Sequence, residues 1–447
     1  MKVIAFIALC LSYFMIIMDA TIVNVVLPSI ATTLHSNMAG LQWVLVGYTL
    51  MFASGLLFAG YLGDYFGAKP LFLLGVCLFV LTSLGCGLAH QVGWLIGFRI
   101  AEGASGALLV PTALSLLQHT FASPAQRAKA IGVWAAVGGI AAAVGPLAGA
   151  LLTHFVSWRA VFFINIPIGL VCLVLARRSI AATARQQGQT FDWFGQGFCF
   201  MALLLLSLCL IEAGQLGWGN PWIIVGLVVC VGCVLAFIYV ESRVVHPMLP
   251  LSLFKKRPFP LSISIGVVMN IGFYGVLFLL PLYFEQVRHY SVLMAGLALM
   301  PMVLLIAVGS FFGGKAIAVF GPMPPFVFGW LAGLVGFAGL WCVHAGGPDY
   351  LYLIVPLLLM GMGLAIVMPA TTVLIMRCVS DQQAGIASGA FNTSRQIGSL
   401  MGVSVFGSLV AMSSSLVTGL HVAVVMIVIL FLLVLGVALY DTIVYNR

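Results

Sequence analysis

The chain has 447 residues, of which 63% are apolar and 6% charged, and its mean hydropathy is +1.21. A soluble domain carries about 25% charged and about 45–50% apolar residues, so a soluble fold of this length could not keep its surface wetted. The net charge of +8 comes from scattered Lys and Arg and not from one basic face, which argues against nucleic-acid binding. The composition predicts a protein that crosses a membrane many times.

The predicted elements are fourteen apolar spans joined by short connections. About 20 apolar residues cross a bilayer as a helix. Runs of that length lie near residues 3–27, 41–62, 70–89, 93–118, 128–152, 160–177, 194–213, 221–240, 259–284, 292–312, 325–344, 350–376, 384–411 and 420–440. No cleavage site follows the first run, so it is predicted to span and not to be a signal peptide. The predicted fold class is an all-α polytopic membrane protein.

The basic residues give the predicted orientation. An even number of spans places both termini on one side of the membrane. With that side in the cytoplasm, fourteen of the 18 Lys and Arg fall in cytoplasmic loops and tails, and only Arg159 and Arg288 fall outside. Basic residues concentrate in cytoplasmic loops, so both termini and the 177–185 connection are predicted to be cytoplasmic.

The two halves of the sequence echo each other at an offset of about 254–258 residues. The matching positions are Gly60 and Gly67 with Gly314 and Gly321, Gly103 and Pro111 with Gly361 and Pro369, and Gly145 with Gly402. Chance matches among packing glycines are the alternative. Duplicated six-helix halves are a transporter architecture. We therefore expect a first half over residues 1–180, an inserted helix pair with cytoplasmic flanks over 181–245, and a second half over 246–447.

Three charged residues lie deep within predicted spans of the first half. Asp19 in the first span lies about 8 Å from the outer boundary and Arg99 in the fourth about 10 Å from it, so the two can pair. Glu102 shares a helix face with Arg99 and lies near the midplane. An intramembrane acid is costly unless it is paired or protonated. We predict that Glu102 exchanges the proton while Asp19 holds Arg99; the alternatives are a solvated Asp19 and a structural Arg99–Glu102 pair.

The connection between the second and third spans carries glycines around an acid. Gly60 and Gly67 flank Asp64, and Lys69 follows. We predict a cytoplasmic gate, in which the Asp64 carboxylate latches onto a neighbouring helix N-terminus and releases it when the halves rock. The second copy has Ala318 in place of the acid, so the latch would be one-sided. An ordinary tight loop is the alternative.

Two further sets of residues stand out within predicted spans. Gly145, Pro146 and Gly149 are predicted to interrupt the fifth span, because proline removes a backbone hydrogen bond and glycines let another helix approach. This pattern is compatible with a kink that serves helix packing and with a functional hinge. Arg395 is the only basic residue deep in the second half and must face the bundle interior or a wet cavity. The predicted cavity residues are Asn24, Trp43, Tyr48, Asn270, Tyr274, Asn392 and Arg395.

The sequence has no motif for other common chemistries. It contains no G-x-x-x-x-G-K-[ST] for ATP phosphates and no H-E-x-x-H for zinc. The eight histidines lie at predicted span ends or in loops, and Cys230 with Cys233 forms a lone C-x-x-C inside an apolar helix. No Ser or Cys nucleophile is placed beside a His. We predict that the protein is not an enzyme, binds no cofactor or metal, and runs on a gradient.

Several motifs, in order along nearly the whole chain, resemble the fourteen-helix drug:proton antiporters of the major facilitator superfamily. They are Asp19-x-Thr21-Ile-Val-Asn24-Val-x-Leu-Pro28, Gln42-Trp43 with Tyr48, Gly60-x-Leu62-Gly63-Asp64-x-x-Gly67-x-Lys69-Pro70, Arg99-x-x-Glu102-Gly103, Gly145-Pro146-x-x-Gly149 and Trp158-Arg159-x-x-Phe162-x-Ile164-Asn165-x-Pro167-x-Gly169. The departures are Tyr65 and Ala68 in place of basic residues in the loop motif, and Glu102 where glutamine is common.

The resemblance implies alternating access by rocking halves, with proton influx coupled to the export of amphipathic, often cationic small molecules. It implies a monomer in the bacterial inner membrane, with protons, these small molecules and the lipid bilayer as partners. One alternative is a narrow-substrate carrier for a metabolite or siderophore on the same scaffold. A non-transporting membrane receptor is another.

Overall fold

The computed structural model describes residues 2–121, 123–181, 192–244, 247–256, 258–344, 350–379 and 383–445. The α-helices in these ranges are α1 (Lys2–Leu34), α2 (Met38–Phe66), α3 (Ala68–Leu88), α4 (Val92–Thr120), α5 (Pro124–Phe155), α6 (Ala160–Phe163), α7 (Asn165–Ser179), α8 (Trp193–Leu216), α9 (Pro221–Glu241), α10 (Pro258–Gln286), α11 (Val292–Ala298), α12 (Met300–Phe320), α13 (Met323–Gly339), α14 (Leu351–Cys378), α15 (Ala384–Met412) and α16 (Leu416–Tyr445). Short 3-10 helices lie at Leu251–Lys255 and Leu340–Cys342. The predicted all-helical class is confirmed.

Twelve helical stretches of the described residues are long and apolar enough to cross a membrane. The predicted spans 292–312 and 384–411 have no counterpart among the twelve, so the count of fourteen is not confirmed. Helices lie at both places. At the first place the helix is divided at Leu299, between α11 and the 21-residue α12. The second, α15, carries the polar run 392–396, which lowers its hydropathy.

The described helices group into two compact units, of which the first comprises Met1–Phe200 and Tyr290–Leu297. In this unit α1 packs against α5 and α7, while α2 and α3 pack against α4. A side chain at Gly145 of α5 would overlap the Thr21 hydroxyl of α1. The helix α5 runs on through Pro146, so the predicted interruption of this span is absent. The glycine serves close packing of α5 on α1.

The second unit comprises Met201–His289 and Ala298–Arg447. Its α10 packs against α15, and its α14 packs against α12 and α13. The boundary between the units falls within α8 at Phe200, inside the inserted pair that was predicted from the sequence. The first turns of α8 attach to α2 in the first unit, where the Gln196 amide donates to the Ser54 carbonyl oxygen at 2.5 Å.

Matching glycines make matching helix contacts inside each unit. In the first unit, a side chain at Gly103 of α4 would overlap the backbone carbonyl of Tyr48 on α2. In the second unit, a side chain at Gly361 of α14 would overlap the carbonyl of Met302 on α12. Each pair is related by the offset that the sequence repeat shows. Small residues at these positions let backbones approach directly.

A second matched pair of glycines turns the chain between helices. Gly67 joins α2 to α3 with a φ of 94°, and Gly321 joins α12 to α13 with a φ of 78°. Backbone in this region is strained for residues with a Cβ and is readily adopted by glycine. The repeat therefore keeps glycine where the backbone requires it.

Candidate functional site

The most heavily buried charges of the first unit meet between α1 and α4. Arg99 Nη1 donates to Asp19 Oδ2 at 2.5 Å and to Glu102 Oε2 at 2.8 Å. The exposed fraction of each of the three side chains is at most 1%. Arg99 and Glu102 share a face of α4 because they are three residues apart, and that face meets Asp19. The pairing that helix depth predicts for Asp19 and Arg99 is present.

A chain of hydrogen bonds fixes Asp19 from its other side. The Asn165 amide of α7 donates to Asp19 Oδ1 at 3.0 Å and to Ser83 Oγ at 2.9 Å. Ser83 in turn donates to the Phe162 carbonyl at 3.0 Å. Both Asp19 oxygens thus accept from N–H donors, which fixes the position of this carboxylate between α4 and α7.

Arg99 is held in a dry environment. Its Nε donates to the Val44 carbonyl at 3.2 Å, and its guanidinium lies 4.2 Å from the ring centroid of Tyr48 and 5.8 Å from that of Phe162. Tyr48 is 3% exposed. The attraction between a cation and an aromatic face is stronger when the cation is desolvated than when it is exposed. The aromatic rings and the Val44 carbonyl therefore hold the guanidinium where it can donate to both acids.

Glu102 is less completely bonded than Asp19. Its Oε2 accepts from Arg99 and, at 3.5 Å, from the Cys86 thiol. Its Oε1 is buried and has no hydrogen-bond partner among the described residues. With both acids ionised the cluster would carry one excess negative charge in a low-dielectric site. A proton on Glu102 would remove that excess.

Sequence reasoning did not assign a role to Asn165, Ser83 and Cys86, which complete the cluster. Asn165 carried a signal, because it stands in a motif at the start of the sixth predicted span. Ser83 and Cys86 are small residues in an apolar run and carried none. Their contacts depend on how α3 and α7 are placed beside α4, which a single sequence does not specify.

The predicted gate residues lie around the turn from α2 to α3. Gly60 and Asp64 are in the last turns of α2, and Gly67 forms the turn itself. The Asp64 side chain lies outside the described part of the structure. Lys69 Nζ donates to the carbonyls of Ile180 at 2.5 Å and Arg177 at 3.3 Å. A cation there satisfies free carbonyls at the C-terminal end of α7.

The predicted cavity residues of the first unit differ in their contacts and in their burial. Tyr48 stacks on Arg99 and belongs to the ion cluster. The Asn24 amide donates to carbonyls of its own helix, those of Ala20 at 3.1 Å and Thr21 at 3.3 Å, and its Oδ1 is buried without a partner in the described chain. Trp43 is half-buried on α2.

The cavity residues of the second unit lie on α10 and α15. The Asn270 amide donates to the Gly266 carbonyl at 2.8 Å and lies 3.9 Å from Met368 Sδ. Tyr274 lies one turn further along α10 and is half-buried. Arg395 Nη1 donates to Asn392 Oδ1 at 3.5 Å. No group of three His, Cys, Asp or Glu side chains among the described residues could hold a metal ion.

Comparison with known proteins places this architecture in a family. The Major Facilitator Superfamily model matches residues 9–403. The chain is 36% identical over 408 residues to the tetracenomycin C resistance and export protein of Streptomyces glaucescens, covering 90% of this chain and 75% of the relative. It is 33% identical over 411 residues to the multidrug resistance protein Stp of Mycobacterium tuberculosis, covering 92% and 76%.

The fold has a counterpart among solved structures. The crystal structure of a single-residue mutant of the nucleoside transporter NupG matches with a TM-score of 0.66 at 13% identity, covering 97% of this chain and 99% of that one. At this identity the likeness concerns the fold alone. The buried ion cluster, the repeated glycine contacts and these matches agree with the resemblance seen in the sequence: the chain belongs to the major facilitator superfamily and is a relative of its drug and antibiotic resistance exporters.

Proposed function

We propose that the protein is a proton-driven exporter of amphipathic small molecules that works by alternating access. The observation that carries this proposal is the Asp19–Arg99–Glu102 cluster, in which two carboxylates share one guanidinium nitrogen. A buried group of this composition has two states that differ by one proton. A membrane protein that holds such a group can couple the proton gradient to a conformational change.

The residues have distinct roles in this proposal. Glu102 takes and releases the proton, because its Oε1 has no other partner in the described chain. Asp19 stays ionised and holds Arg99 against the Tyr48 ring. When Glu102 is ionised, the excess negative charge favours a conformation in which the cluster is open to water or paired with a cationic substrate. When Glu102 is protonated, a closed conformation that excludes water is favoured. One proton at ~150 mV supports roughly a 300-fold substrate gradient.

Other parts of the proposal concern membrane placement and gating. The helices α12 and α15 also span the membrane, which gives fourteen spans, and both termini lie in the cytoplasm of a bacterium, in its inner membrane. Gly60, Asp64, Gly67 and Lys69 form a cytoplasmic gate, and Gly145, Pro146 and Gly149 allow α5 to move against α1. The chain works as a monomer.

The substrate range has two candidates. Broad efflux is supported by the relative named as a multidrug resistance protein. A narrow-substrate carrier is supported by the relative whose name specifies one compound, tetracenomycin C. The residues proposed to contact the substrate in either case are Asn24, Trp43 and Tyr48 of the first unit and Asn270, Tyr274, Asn392 and Arg395 of the second.

Reconstituted vesicles test the proposal. The purified protein is placed in liposomes with an imposed pH gradient, and the movement of a panel of dyes and quaternary ammonium compounds is followed with and without an uncoupler. We expect accumulation against the dye gradient that the uncoupler abolishes. Accumulation that is insensitive to the uncoupler, or no movement of any compound, would contradict proton-driven export.

A further inference from the structure

Arg395 is the charged residue of the polar run 392–396 in the second unit. It stands in α15, one turn before Gly398. A side chain at Gly398 would overlap the Val267 carbonyl of α10 and would lie 3.0 Å from Asn270 Cβ. The two helices are therefore in close contact at this level. Arg395 therefore lies beside the part of α10 that runs from Gly266 to Asn270.

No carboxylate accompanies this arginine. Both ion pairs within the described residues involve Arg99. The polar contact of Arg395 in the described chain is a 3.5 Å bond to the neutral Asn392 amide, and its Nε is buried without a partner. A guanidinium has five N–H donors and no acceptor. Most of its hydrogen-bonding capacity is therefore unused.

The residues around Arg395 do not supply the missing negative charge. The Asn270 amide already donates to its own helix, and Tyr274 presents a phenol, which is a hydrogen-bond donor as well as an acceptor. Asn392 is exposed. A cation within a membrane-spanning bundle is retained when it has an anionic partner or a functional reason. Among the described residues, Arg395 has no anionic partner.

We propose that Arg395, with Asn392, binds the anionic group of the substrate, so that the transported class is amphipathic acids and zwitterions bearing a carboxylate. The planar guanidinium matches a carboxylate in two parallel hydrogen bonds. The assignment rests on the proposed transport function and replaces the expectation of cationic substrates with a specific charge requirement. Proton exchange stays with the Asp19–Arg99–Glu102 cluster in the first unit.

A matched pair of dyes tests the charge requirement directly. Rhodamine B is a zwitterion with a free carboxylate, and its ethyl ester is a cation of the same shape without one. Binding of each dye to the purified protein in detergent is measured by fluorescence anisotropy, for wild type, Arg395→Gln and Arg395→Lys. Arg243→Gln removes the same charge from an exposed position of the second unit and serves as the control.

We expect Arg395→Gln to bind rhodamine B about tenfold or more weakly than wild type, which is the loss of a charge-assisted hydrogen bond. Binding of the ethyl ester should stay unchanged. Arg395→Lys should recover part of the lost affinity, because lysine keeps the positive charge but cannot donate two parallel hydrogen bonds to a carboxylate. Equal loss for both dyes, no loss for rhodamine B, or failure of wild type to bind rhodamine B would overturn the inference.

The result is separable from the proposed function. A wild-type protein that prefers rhodamine B, yet shows no uncoupler-sensitive transport in vesicles, retains the anion site and loses the proton-driven mechanism. A protein that exports against a gradient but treats acid and ester alike in all variants retains the mechanism and loses the anion site. Thermal unfolding of Arg395→Gln in detergent establishes that the variant is folded before binding is compared.

Discussion

The helices α4 and α14 occupy matching places in the two units but carry different chemistry. Both pack through a glycine against a neighbouring backbone carbonyl, Gly103 on Tyr48 and Gly361 on Met302. At the repeat offset of Gly103 and Gly361, Arg99 corresponds to Leu357, and Glu102 corresponds to Met360 on α14. Leu357 is 0% exposed and Met360 2% exposed. The same helix packing is thus compatible with either an ion cluster or an apolar core.

This difference separates scaffold from function. The glycine contacts are present in both units, so they serve packing that both units need. The charges are present only on α4, so they serve a purpose that packing does not require. Arginine returns in the second unit on a different helix, α15, where no carboxylate of the described residues pairs with it. The buried cluster of the first unit holds two carboxylates for one guanidinium.

Removing the cation of the first unit should have the largest effect. Arg99→Ala leaves two buried carboxylates without their partner, and we expect a loss of about 3–5 kcal/mol in the free energy of unfolding. Thermal unfolding in detergent from neutral to acidic pH measures it. The loss should shrink as the pH falls, because protonated carboxyls no longer need a counter-charge.

Leu357→Ala is the matched variant in the second unit. It leaves a cavity that costs about 2–5 kcal/mol, but this cost should not depend on pH. The two variants are compared by how their loss in the free energy of unfolding depends on pH. The same pH dependence for both would contradict the claim that buried charges distinguish α4 from α14.

Removing the Asn165 amide should have the next largest effect. Asn165→Ala leaves Asp19 Oδ1 and Ser83 Oγ without the donor they share, and we expect a loss of about 1–3 kcal/mol. Asn24→Ala removes an amide that bonds carbonyls of its own helix and should cost less. Chemical denaturation of both variants makes the comparison; a larger loss for Asn24→Ala would show that Asn165 is not a required part of the cluster.

The loop repeat allows a paired test of the gate. Asp64→Asn should reduce export while leaving the amount of protein in the membrane unchanged, because it removes the charge that the proposed latch needs and keeps the size of the side chain. Ala318→Asn introduces the same residue at an exposed position of the second copy and should leave export unchanged. Transport assays with immunoblots of the membrane fraction measure both. Full export by Asp64→Asn would make this loop an ordinary turn.

Lys69 should have the smallest effect. Lys69→Met removes the cation that bonds the last carbonyls of α7, at Arg177 and Ile180, and charges at helix ends contribute about 0.3–1 kcal/mol. We expect a small decrease in thermal stability that becomes smaller at high salt. Unchanged stability of Lys69→Met would show that these two hydrogen bonds do not stabilise the end of α7.

The sequence predicts the helical class, the repeated glycines and the Asp19–Arg99 pair, because each follows from a local property: hydropathy, residue size or depth along a helix. It does not predict Ser83 or Cys86, whose importance depends on packing between helices distant in sequence. Pro146 illustrates a different limit. Proline disfavours the helix interior, but α5 continues through it, so tertiary packing in the bundle overrides the local preference.

The central claim is that Glu102 carries the transported proton, and one substitution tests it. Glu102→Gln keeps the shape of the side chain and cannot ionise. In liposomes with an imposed pH gradient, we expect this variant to bind substrate and exchange it downhill but to accumulate none against a gradient. Glu285→Gln makes the same change at a half-buried acid of α10 whose Oε1 is also without a partner in the described chain, and it should accumulate substrate like wild type. A Glu102→Gln protein that pumps uphill with an unchanged pH dependence would contradict the account and move the proton to Asp19.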